Sequence, residues 1–356
     1  MIRVLIVDDS AIVRKIFTEE LEKEADIEVV GTAMDPYVAR DKIVKSKPDV
    51  ITLDLEMPRM DGLTFLRKLM RYYPVPVIVV SSLTQDKSRL ALQAVESGAV
   101  EVLSKPGSSY SVGELSKELS HKIRAAAATQ VSKIQTKAAS QEVRPAVGIR
   151  PSPLLDTTTN KILAIGASTG GTEAIKRILT ALPPNSLGTV IVQHMPPKFT
   201  TAFSERLNSL CPFEVKEAAP GDSVYPGRAL IAPGNYHMLL RRSGAKYYVD
   251  IKQGPRIHHQ RPAVDILFKS VARSAGKNAL GILLTGMGSD GAEGLLDMKE
   301  SGAHTITQDE KSCIVYGMPA EAVKLGASQM SASLDDIAGL VIAHFSTTNT
   351  SKTPSA

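Results

Sequence analysis

Short runs rich in Val, Ile and Leu at residues 3–7, 50–53, 77–81 and 100–103 each lead into a polar group: Asp8-Asp9, Asp54, Ser81 and Lys105 in turn. Another such run lies at 27–31. Between the runs, apolar residues recur at helical spacing over 9–24, 37–46, 62–71 and 87–97, and a last helical pattern covers 113–127. The first of these is expected to put Ile12, Ile16, Phe17 and Leu21 on one face. Strands this short and this apolar, alternating with helices, predict a parallel sheet covered on both faces.

The alternation then stops and resumes. Residues 129–159 contain no aromatic side chain and are rich in Ala, Ser, Thr, Gln, Lys and Pro, so a linker is expected over 126–157. A second series follows, with strand-like runs at 161–165, 189–193, 229–232, 280–285 and 304–308 and a hairpin pattern at 238–252. Helical patterns fall at 172–181, 200–210, 263–275, 292–301 and 334–345, before a polar tail at 347–356. The expected organisation is therefore α/β throughout. One domain covers 1–125, and a second, doubly wound and mainly parallel, covers 158–346.

Charge and composition narrow the function. Residues 1–106 carry 15 Lys and Arg against 17 Asp and Glu, while 161–356 carry 20 against 16. That excess is too small to mark a nucleic-acid surface, and with no Trp and 4% aromatics the chain is poor in stacking platforms. Cys211 and Cys313 stand alone, with no paired spacing for zinc or redox chemistry. The opening MIRVLIVDDS is not a secretory signal, and no apolar run is long enough to span a bilayer. A cytoplasmic protein with no membrane insertion and no nucleic-acid partner is expected.

In an open parallel sheet, functional groups collect at the carboxyl ends of strands. Asp8, Asp9 and Asp54, with Ser81 and Lys105, would meet there. Three carboxylates repel one another unless a cation lies among them, and an all-oxygen donor set suits Mg²⁺. Helix N-capping accounts for a single acid after a strand, such as Asp9, but not for this combination.

The second half carries a different set. Strand-like residues 161–165 run into Gly166-Ala167-Ser168-Thr169-Gly170-Gly171, a G-x-S-x-G turn ahead of a helix. Such a turn exposes the serine and faces it with helix amides able to hold an oxyanion. The phosphate-cradling alternative lacks both the full G-x-G-x-x-G spacing and a P-loop lysine. His194 ends the next strand-like run, and Asp290 sits in a Gly-rich loop after the run at 280–285. An N-cap on the 292–301 helix is the competing role for Asp290. Together the three suggest a Ser–His–Asp site, in a chain order unlike that of α/β-hydrolases.

Residues 1–125, through LIVDDS, DVITLDLEMPRMDG, VIVVSS and LSKP, closely resemble a response-regulator receiver domain, a flavodoxin-like fold. That resemblance implies phosphorylation of Asp54 by a histidine kinase, Mg²⁺ on Asp8, Asp9 and Asp54, a switch hydroxyl at Ser81 and a phosphate contact from Lys105. Val102 departs from the aromatic that many receivers carry three residues before the lysine. The segments IGASTGG, VQHMPP, GPRIHHQRPAVDILFKSVA, LLTGMGSDGAEG and YGMPAEA resemble, in order, the catalytic domain of the chemotaxis protein-glutamate methylesterases, the CheB family. This implies a phosphorylation-regulated hydrolase of glutamate methyl esters on methyl-accepting chemoreceptors. It would also deamidate receptor glutamines, with no cofactor for the esterase step. Ser168 would be nucleophile, His194 general base and Asp290 its partner, with Thr169, Gly170 and Met287 forming the oxyanion site or shaping it. His258, His259 and Arg261 fall in a matching motif and would border the cleft. The sequence suggests no partner for His237 or His304, and a Cys313 nucleophile would leave the serine set unexplained. A DNA-binding output would call for a basic helix-turn-helix region, whereas the second half alternates β and α with a small basic excess, and a nucleotide-binding enzyme there would leave His194 and Asp290 without a role.

Overall fold

The structure is a computed structural model that describes residues 1–82, 84–105, 112–129 and 161–347. Most of the expected linker, and the tail beyond residue 347, lie outside the described residues. The chain divides into two compact units.

In the first unit, β1 (Ile2–Val7), β2 (Ile27–Ala33), β3 (Val50–Asp54), β4 (Val77–Ser81) and β5 (Glu101–Ser104) form one sheet in the order β2-β1-β3-β4-β5. Every pairing is parallel. β3, β4 and β5 are buried along their whole length, which is why they read as unbroken apolar runs rather than alternating ones. Helices Ala11–Leu21, Pro36–Ser46, Gly62–Tyr72, Gln85–Glu96 and Val112–Ala127 connect and follow the strands. Ser10, Asp35, Asp61 and Thr84, each in extended backbone, accept first-turn amides of the helices they precede. One expectation fails in the first helix. Its buried face is Val13, Phe17 and Leu21, and Ile12 is 72% exposed. Residues 13, 17 and 21 keep the i, i+4 spacing that stays on one stripe, and Ile12 lies about 100° from it.

The second unit has β6 (Ile162–Ala167), β7 (Gly188–Gln193), β8 (Glu214–Glu217), β9 (Ser223–Val224), β10 (Arg228–Ile231), β11 (His237–Ser243), β12 (Lys246–Lys252), β13 (Ala279–Leu283), β14 (His304–Gln308) and β15 (Met330–Ala332). Seven of them form a parallel sheet in the order β15-β14-β13-β6-β7-β10-β8, and β11, β12 and β9 form an antiparallel one. The hairpin pattern at 238–252 is the β11–β12 pair, registered from His237↔Lys252 to Ser243↔Lys246. The edge strands β8, β9 and β15 and the helix Met318–Lys324 were not expected; the strands are two to four residues long, too short to show a period. The main core packs Val190, Val192, Leu230, Leu267, Phe268, Val271 and Leu283 around the middle of the large sheet.

β6 is the point where the strand order reverses, with β7 on one side and β13 on the other. A crevice is expected at the carboxyl ends of such strands. In the first sheet the equivalent point lies between β1 and β3. No helix among the described residues is long and apolar enough to cross a membrane.

Candidate active site

β6 and β7 pair with Ala167 opposite Gln193, so Ser168 and His194 are the next residues on neighbouring strands. Both are buried, at 6% and 3% exposure. The Ser168 backbone is held from two sides. Its N–H donates to Thr285 O at 3.0 Å, and its carbonyl accepts from Gly171 N at 2.7 Å and Gln193 Nε2 at 2.9 Å. Thr285 ties the loops together: its hydroxyl lies 3.0 Å from Thr169 O and accepts the Ile314 and Val315 amides at 3.1 and 2.9 Å. Thr285 and Gln193 were not expected from the sequence, since nothing marks a threonine or glutamine that works through backbone groups far away in the chain.

The turn itself depends on glycine. Gly170 has φ 78° and precedes the helix Gly171–Ala181, so that helix begins three residues after the serine. At Gly286 a side chain would lie 2.7 Å from Ser168 Cβ and 2.3 Å from Met318 Sδ, so this loop reaches the serine only as bare backbone. Met287 is the next residue and is partly exposed. Thr169 is buried.

His194 Nε2 lies 2.8 Å from Asp290 Oδ2, and both residues are almost wholly buried. Asp290 does not cap the helix Ala292–Glu300; Gly291 occupies that position without a side-chain bond. The carboxylate instead accepts the first amides of another helix, Val264–Ala275: Val264 N at 2.7 Å on Oδ2 and Asp265 N at 2.9 Å on Oδ1. Burial pushes the Asp290 carboxyl up, but His194 and these amides outweigh it and hold it below the usual carboxylate value. An ionised carboxylate only accepts, so the proton between the two groups sits on His194 Nε2. In the neutral imidazole Nδ1 is then the nitrogen without a proton, and it is buried without a hydrogen-bond partner.

The remaining motif residues hold loops. His237 Nε2 donates to Pro255 O at 2.9 Å, its Nδ1 accepts Ala263 N at 3.2 Å, and burial lowers its pKa, so it is a neutral structural histidine. Arg261 binds Asn235 Oδ1 at 2.6 Å and Gly254 O at 2.5 Å. His258 pairs with Asp265 at 3.0 Å, while His259 follows it in left-handed backbone at φ 63°. His304 packs edge-on against His344, with ring centroids 4.0 Å apart. Cys313 is buried, and burial pushes the Cys211 thiol up to about 11, which leaves little thiolate for nucleophilic chemistry.

In the first unit, Lys105 Nζ lies 2.6 Å from Asp54 Oδ2 and 3.1 Å from Asp8 Oδ2. Asp8, Asp9 and Asp54 can each offer an oxygen within 4.8 Å of the others. Burial pushes the Asp8 and Asp54 carboxyls up against the pull of Lys105. Arg14 fixes the turn below them by donating to the carbonyls of Asp8 at 2.6 Å and Asp9 at 3.0 Å. Ser81 is buried at the end of β4, and its carbonyl accepts Lys105 N at 2.9 Å. Val102 is buried within β5.

Residues 163–341 match the family model described as CheB methylesterase, and residues 4–115 match the response regulator receiver domain. The chain is 64% identical to a protein-glutamate methylesterase/protein-glutamine glutaminase of Syntrophus aciditrophicus, over 96% of this chain and 98% of that protein. It is 56% identical to one of Anaeromyxobacter dehalogenans, over 95% of this chain and 93% of that one. Among solved structures, the CheB methylesterase catalytic domain of Thermotoga maritima aligns with a TM-score of 0.51 and 36% identity, covering 52% of this chain and 98% of that one.

Proposed function

The chain belongs to the CheB methylesterase family with a receiver domain ahead of its catalytic domain, and from that premise we propose the residue roles by which it works. The protein is a phosphorylation-regulated protein-glutamate methylesterase and protein-glutamine glutaminase of chemotaxis adaptation. It hydrolyses glutamate γ-methyl esters on chemoreceptors to methanol and glutamate, and it converts glutamine to glutamate with release of ammonia. Its partners are, in general terms, a receptor substrate and a kinase phosphodonor.

The observation that carries the catalytic reading is the 2.8 Å bond between His194 and Asp290 beside Ser168, at the reversal point of the sheet. His194 Nδ1 takes the Ser168 hydroxyl proton as Oγ attacks the ester carbonyl. Asp290 stabilises the imidazolium that results. Amides of Thr169 and Gly170, at the start of the Gly171–Ala181 helix, hold the oxyanion, and Met287 borders the site. Collapse of the tetrahedral adduct expels methoxide, which takes the proton back from Nδ1 and leaves as methanol. A water then loses a proton to Nδ1, attacks the acyl-serine and releases the glutamate and Ser168. An amide substrate follows the same path with ammonia as the leaving group. None of these steps requires a cofactor.

In the receiver, Asp54 accepts the phosphoryl group. Three carboxylates with oxygen-only donors fit a hard divalent cation, and Mg²⁺ on Asp8, Asp9 and Asp54 would offset phosphoryl charge when bound. Lys105 contacts the phosphoryl oxygens and Ser81 supplies the switch hydroxyl. The proposed location is the cytoplasm, and no helix among the described residues is long and apolar enough to cross a membrane.

Labelling with a serine-directed phosphonate tests the site. Attachment mapped to Ser168 supports the reading, and attachment at another residue with Ser168 unmodified contradicts it.

A further inference from the structure

The helices Val264–Ala275 and Ala292–Glu300 hold each other by their amino ends. Asp290, just ahead of the second helix, accepts the Val264 and Asp265 amides of the first. Asp265, in the first turn of the first helix, returns the bond, accepting Gly294 N on Oδ1 at 2.7 Å. The contact requires glycine, because a Cβ on Gly294 would lie 2.7 Å from Phe268 Cβ and 3.1 Å from Asp265 Cα. The second oxygen of Asp265 faces His258 Nε2 at 3.0 Å. Asp265 is 2% exposed, whereas the His258 side chain is 38% exposed.

Two carboxylates thus lie side by side in the interior, and only one of them touches His194. A buried carboxylate beside another is costly unless something outweighs the repulsion. We infer that Asp265, clamped by His258, is a positioning residue for the hydrolase: it fixes the turn carrying Asp290 against His194. The inference rests on the Ser168–His194–Asp290 reading and extends it to two residues that do not touch substrate.

The charges around Asp265 suit this role. Burial and then the Asp290 charge push the Asp265 carboxyl up, while the Gly294 amide, and after it Lys269 and His258, act in the opposite direction. Lys269 is itself tied to Glu293 at 2.7 Å, which divides its charge between the two helices. His237, the first residue of β11, faces Asp290 and carries the neutral form already described. Among the described residues, His258 is therefore the titratable side chain that bonds Asp265 and also reaches solvent.

The test uses the full-length protein and methanol release from methylated receptor, measured across substrate concentration. Asp265→Asn keeps an acceptor for Gly294 and loses the charge. It should lower kcat about tenfold with KM little changed. His258→Ala should lower kcat in the same direction. His258→Gln, which keeps a donor close to the Nε2 position, should restore most of it. A folded Asp265→Asn with wild-type kcat overturns the inference. If Asp265→Asn does not fold, His258→Ala decides, and unchanged kcat there overturns it. Ser168→Ala run alongside separates the two readings. If it stays active, the triad reading fails and this inference with it; if it is inactive while Asp265→Asn and His258→Ala behave as wild type, this inference alone fails.

Discussion

His194 turns its Nε2, 2.8 Å away, to Asp290, and its Nδ1 is the buried nitrogen left without a partner. Strand register fixes this arrangement, because β6 and β7 end side by side at Ala167 and Gln193. Asp290 reaches His194 from the loop after β13, on the other side of β6, and two helix amides hold it in place. The imidazole is therefore oriented by a carboxylate that is itself held by a helix amino end.

Asp290→Asn tests that orientation. The amide can still accept a helix N–H, so the fold should persist. Its NH₂ cannot accept the Nε2 proton, so the imidazole is driven to the other tautomer with Nδ1 protonated. The loss in kcat should be about 10³–10⁴-fold, read from methanol release on protein whose circular dichroism matches wild type. A loss below tenfold would show that the tautomer does not matter.

Gly286→Ala tests the bare-backbone approach to the serine. The added Cβ meets Ser168 Cβ and Met318 Sδ well inside contact distance. Destabilisation of about 1–3 kcal/mol is expected, with loss of activity even where the protein remains folded. Denaturant midpoints measure the first effect and methanol release the second. Unchanged stability would mean that the loop can retreat from Ser168.

Asp54→Asn should take up no phosphate from a small-molecule phosphodonor and show no stimulation by it, while basal methanol release persists. Phosphate incorporation at the wild-type level would remove Asp54 from its assigned role. Lys105→Ala should still accept phosphate yet respond weakly, since its ammonium lies 2.6 Å from Asp54 in the resting pocket.

His344 gives a pH dependence of stability. Burial, then the neighbouring His304 and Lys161, lower its pKa from 6.5 to about 4. The unfolded chain therefore binds this proton first as pH falls, so stability drops from about pH 6.5 towards pH 4 and this contribution levels off below. His344→Gln should flatten part of that slope. Melting temperatures over this window check it, and an identical slope in the variant would contradict it.

Much of this was legible in the sequence because a parallel sheet writes itself twice: as apolar strands, and as polar groups where those strands end. That rule singled out Asp8, Asp54 and His194 as candidates, and the glycine turn singled out Ser168. Asp290 was ambiguous, because a loop acid before a helix looks like an N-cap; only the fold reveals that it caps a different helix. Thr285, Gln193 and Asp265 left no signal, since each bonds backbone groups or side chains that only the fold brings close. Ile12 was misplaced because Ile12 and Val13 are both apolar, and packing of the helix selects which of the two faces inward.

The most direct test is methanol release from methylated receptor by the full-length protein and by Ser168→Ala, each with and without a small-molecule phosphodonor. The account predicts that wild type releases methanol and is stimulated by phosphodonor. Ser168→Ala should take up phosphate at Asp54 as before, yet release methanol about 10⁴–10⁶-fold more slowly. Release from Ser168→Ala at a rate close to wild type would contradict it.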